Sequence, residues 1–73
     1  MINISDYVHQ NTLNTPQAQH RNAAESHERA SKHHYEAARL HEKGDHHRAS
    51  IHANIAQSHA VAGLEKGASA IMN

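Results

Sequence analysis

The stretch TPQAQHRNAAESHERASKHHYEAARLHEKGDHH, residues 15–47, decides the fold. It opens on a helix-start signal and closes on a helix-stop signal. Thr15 offers a hydroxyl to cap free backbone N–H groups, and Pro16 suits the first helical position, where a missing donor goes unnoticed. From Pro16 to about Lys43 the residues favour helix. Arg39 and Lys43 near the end oppose the helix dipole favourably, and Glu25/Arg29 and Glu28/Lys32 stand four apart, in the supportive order. Gly44 is a helix-ending residue and Asp45 an N-cap for a second helix. A connection this short sends that helix back antiparallel.

Two period-seven tracks run through the first helix: His20, His27, His34, His41, and between them Ala23, Ala30, Ala37. A strict heptad is first a packing signal, because it puts every member on one stripe. In the second helix Ala49, Ala53, Ala56, Ala60, Gly63, Gly67 and Ala70 alternate by four and three. Such small residues let two helix backbones come close. The expected architecture is all-α: helix one over about 16–43, a turn at 44–45, and helix two over about 46–66, with Gly63 and Gly67 weakening its end and a frayed C-terminus to residue 73. Residues 1–14, which carry Ile2, Ile4, Tyr7, Val8 and Leu13, read as an N-terminal extension, partly docked or flexible.

Alanine supplies most of the apolar content, and there is no Phe or Trp. A lone hairpin of such side chains buries little area against a backbone ordering cost of roughly 1–2 kcal/mol per residue. Self-association is the simplest remedy, and a homodimer forming a four-helix bundle is the expected folded unit. Seven basic and seven acidic residues cancel, which argues against a nucleic-acid binder. No run approaches the ~20 apolar residues of a membrane span, and the start does not read as a signal peptide, so a cytoplasmic protein is expected. With no cysteine, there is no disulfide or thiolate site. The serines follow no nucleophile motif and no phosphate loop is present, so an enzyme is not expected.

The stretch from His33 to Ser50, HHYEAARLHEKGDHHRAS, resembles small bacterial proteins built from one alanine- and histidine-rich helical hairpin. Its Gly44-Asp45 turn followed by Ala49 is also similar to the inter-helix turn of tetratricopeptide hairpins, without the large tryptophan, leucine and tyrosine signature of that repeat. The resemblance covers roughly residues 20–62. It implies the hairpin and no particular activity.

Ten histidines in 73 residues raise the question of metal. A helix chelates best through side chains three or four apart, and no histidine pair has that spacing. Cross-helix convergence is the alternative. In an antiparallel hairpin His34 comes opposite His52, and His27 opposite His59, each within roughly 4–5 Å of axial offset. His27, His34, His52 and His59 are therefore the candidate ligands, for zinc, copper or nickel. The competing reading makes the histidine heptad a flank of the packed seam, with His33, His46 and His47 mostly solvated and Tyr35 a packing group. Two functions follow: a helical interaction or structural module whose partners are itself and another protein, sensitive to acid if the stripe is buried, or a metal-binding protein.

Overall fold

The computed structural model describes residues 15–72, so the expectation for residues 1–14 lies outside the described residues. Two helices pack against each other with no strand among these residues: α1, Pro16–Glu42, and α2, His46–Met72. The expected cap forms, with the Ala18 N–H donating to Thr15 Oγ1 at 3.2 Å and Pro16 at the first position. The stop is equally local. Gly44 takes φ +84, the left-handed region that costs glycine least. Its N–H donates to the His41 carbonyl at 3.0 Å, and the Asp45 N–H donates to the Leu40 carbonyl at 2.8 Å. This paired closure satisfies carbonyls that the end of α1 leaves free. Asp45 then accepts from the Arg48 N–H at 3.2 Å and caps α2.

The second helix does not weaken at Lys66. It continues through Gly63 and Gly67 to Met72, because tertiary contact overrides glycine's poor propensity. Gly67 faces Ala23 and Gly63 faces His27. The ion pairs among the described residues are Glu36–Arg39 and Asp45–Arg48, at a spacing of three, rather than Glu25–Arg29 and Glu28–Lys32.

The core is a seam of small groups. On α1 the inner positions are Ala23, Ser26, Ala30, His33, Ala37 and Leu40, alternating by three and four; all are buried except His33, which is half-buried. On α2, Ala49 and Ala56 are fully enclosed, with Gly63 and Ala70 continuing the line. Ser26, 2% exposed, accepts a 3.4 Å hydrogen bond from Lys66 Nζ. Among the described residues Leu40 is the one large aliphatic side chain that is buried, packed with Ala37, Ala49 and Ala53 near the turn, while Ile55 is half-buried. The larger apolar groups stand outside: Tyr35, Ile51, Val61, Leu64 and Ile71 are all exposed. Tyr35 is thus a surface group in the single hairpin, not a buried packing residue.

Candidate functional site: two histidine-bearing edges

The phase of the alanine seam sorts the histidines. Consecutive residues on a helix point about 100° apart. Because His33 shares the inner alternation with Ala30 and Ala37, His34 is rotated off it, toward one edge of the hairpin. His20, His27, His34 and His41 are all exposed. The four candidate ligands are consequently divided. His27 and His34 line an open groove on one edge, whereas His52 and His59 meet His33 on the other. Among the described residues no group of three or more ligand-type side chains converges on one point.

The groove edge consists of two adjoining hollows of about 530 and 490 Å³ that share His27. Ala30, Ser31, Tyr35, Ala38 and Ala60 shape the first around His27 and His34. The second lies toward the open end of the hairpin, with Leu64, Ala68 and Ile71 from α2 facing His20 and Ala24 from α1. No Lys, Arg, Asp or Glu lines either hollow. His27 has a defined seat there. An added Cβ on Gly63 would stand 2.8 Å from its Cε1 and Nε2, so the ring occupies the space a side chain at 63 would need.

The opposite edge is polar. His33 Nδ1 and His52 Nδ1 are 3.0 Å apart across the two helices, with ring centres 5.2 Å apart. His59 lies on the other side of the His33 ring, centre to centre 5.7 Å and 15° from parallel. Contrary to expectation, then, His33 is not solvated: it is half-buried and is the hub of the cross-helix contacts. The signal was present in the sequence as the alternation Ala30-His33-Ala37, and the period-seven histidines drew attention from it. Glu36, one turn on, accepts both a 3.0 Å bond from Arg39 Nε and one from Arg39 Nη2. That guanidinium holds the Glu36 carboxyl below its usual range, and nearby His52 and Lys43 add smaller attractions. At the turn, His41 and His46 form a second pair, Nδ1 to Nδ1 2.7 Å, fully exposed.

No family model, curated protein or solved structure matches this chain. The geometry alone therefore bears on function. No helix among the described residues is long and apolar enough to cross a membrane.

Proposed function

We propose that the protein is a non-enzymatic helical interaction module that works as a homodimer, two hairpins packing groove edge to groove edge into a four-helix bundle. The observation that supports this reading is the inverted distribution of side chains. Alanine and glycine fill the inside, while Tyr35, Leu64 and Ile71 stand 77%, 69% and 80% exposed along one charge-free edge. A two-fold interface brings each patch against its own copy, so any charge would meet its like; a patch without charges suits that arrangement. The edge also repeats the inner pattern, with Ala24, Ser31 and Ala38 alternating by three and four with His20, His27, His34 and His41. This is a second small-residue seam, fit for close approach of another helix. Each helix is about 40 Å long and a two-helix face about 18–20 Å wide, so the face covers on the order of 700–800 Å². A stable interface takes roughly 800 Å² from each partner. The charged outer faces then remain free for another protein.

Sedimentation equilibrium of the tag-free chain tests the reading, with twice the monomer mass expected at micromolar concentration. Leu64→Lys removes about 1–2 kcal/mol of burial per copy and places an ammonium in an apolar seam. With two copies per dimer, dissociation should strengthen by roughly two orders of magnitude or more. A wild-type chain that stays monomeric at ~200 µM overturns the proposal, as does a dimer that survives Leu64→Lys and is lost in Ile51→Lys.

A further inference from the structure

The polar edge carries a pair of imidazoles whose nitrogen edges face each other, and this is a different chemistry from the groove. A ring atom lies about 1.2 Å from its ring centre, so two Nδ1 atoms 3.0 Å apart with centres 5.2 Å apart are almost head on. Where one Nδ1 carries its ring proton, the two neutral rings share an N–H···N hydrogen bond; where both present lone pairs, the same gap can take a cation. We propose that His33 and His52 form a two-imidazole site for a divalent transition metal, with copper(II) the tightest ligand. It stands whether or not the groove edge dimerises.

Nitrogens about 2.8–3.4 Å apart can share one ion at metal–nitrogen bonds near 2.0–2.1 Å, and the 3.0 Å between the two Nδ1 atoms falls in that range. Copper(II) leads the divalent affinity order for such ligands, ahead of zinc. Turning the two rings from head-on to convergent uses the histidine χ2 torsions, which are broad, and both residues are half-buried, not enclosed. The proton is accounted for simply. Where both rings are neutral, the Nδ1 proton moves through solvent to Nε2 of the same ring and both Nδ1 lone pairs bind the ion. Where the pair carries one extra proton, that proton is released.

Waters complete the coordination. The surroundings favour a dication, because the Glu36 carboxylate lies near His52; His59 stacks on His33 without adding a third convergent ligand. The exposed His41–His46 pair at the turn has Lys43 between its members and Arg48 two residues beyond, and no third imidazole stacks on it among the described residues, so it is the weaker site. The proposal moves the metal reading away from the quartet His27, His34, His52 and His59 and keeps His52 alone of that set in the primary pair.

Copper(II) chloride added below stoichiometry to the full tag-free wild-type chain is the test, followed by NMR of the imidazole resonances. The paramagnetic ion should broaden His33 and His52 first; earlier broadening at His41 and His46, or at His27 and His34, overturns the site. Calorimetric titration gives the second readout, with one copper per chain expected in the tight phase. His33→Gln and His52→Gln, checked for retained helicity, should each weaken that phase at least tenfold, while His47→Gln leaves it within about twofold. Full affinity in both His33→Gln and His52→Gln overturns the proposal.

Discussion

Gly63 and Gly67 both lie inside a continuous helix, yet replacing each by alanine should have different consequences. Alanine is better than glycine in a helix interior by about 1 kcal/mol. At Gly67 the new Cβ would stand 3.9 Å from Ala23 Cβ, an ordinary van der Waals contact. Gly67→Ala should therefore keep nearly the whole gain, raising stability by about 0.5–1 kcal/mol and Tm by roughly 3–8 °C. At Gly63 the new Cβ would fall 2.8 Å from two atoms of the His27 ring and 3.0 Å from its Nδ1. No backbone is in the way, so the ring swings aside. That displacement forfeits its contacts and costs about 0.5–1.5 kcal/mol in an unfavourable rotamer, which cancels the propensity gain. Gly63→Ala should be neutral within about 0.5 kcal/mol. In a His27→Ala background the obstacle is gone, and Gly63→Ala should recover about 1 kcal/mol. The cycle thus predicts a coupling of roughly 0.5–1 kcal/mol between 63 and 27, and none between 67 and 27. Urea unfolding followed by helicity measures all six proteins. The chain concentration must be held fixed, because association adds to apparent stability. Equal gains at both glycines in the wild-type background would refute the seating of His27 over Gly63.

Ala56 is fully enclosed at the middle of the seam; Ala56→Leu must push the helices apart and should cost about 1–3 kcal/mol, read as a lower urea midpoint. The Arg39 hydrogen bonds hold the Glu36 carboxyl low, so their small stabilisation is present above the ordinary carboxylate range and is lost as pH falls through the lowered value. Arg39→Ala should move the Glu36 titration, followed by carboxyl carbon shifts, upward; an unmoved midpoint refutes the pairing.

What could be read from the sequence was what is local. Thr15-Pro16, Gly44 and Asp45 act within four residues of themselves, and their geometry in the fold is what their chemistry dictates. The second helix runs past Lys66 for the opposite reason: Gly63 and Gly67 are poor helix formers alone, and their value comes from residues some forty positions away in the chain, Ala23 and His27. The site suffered from phase. Both His33 and His34 neighbour the alanine track, and a heptad count selects His34. The residue that lies in the seam is the one completing the three-four alternation with Ala30 and Ala37, and that is His33. One residue of phase carries a histidine from one edge of the hairpin to the other.

That rotation gives the two histidine sets their different surroundings. A seam of alanines brings the backbones close, and close backbones leave interior room for Leu40 near the turn but for few other groups of that size. The remaining ones lie on the flanks, where Tyr35, Leu64 and Ile71 are found. The hollows of that flank are lined by apolar groups and histidine, with no Lys, Arg, Asp or Glu, which suits contact with a second copy of itself. The other flank holds its histidines in contact with one another, where two facing ring nitrogens share a proton or could share a cation. Neither property needs a pocket, a nucleophile or a cofactor fold. Both follow from placing side chains on two closely packed helices, and on them rest the proposals of association at one edge and metal capture at the other.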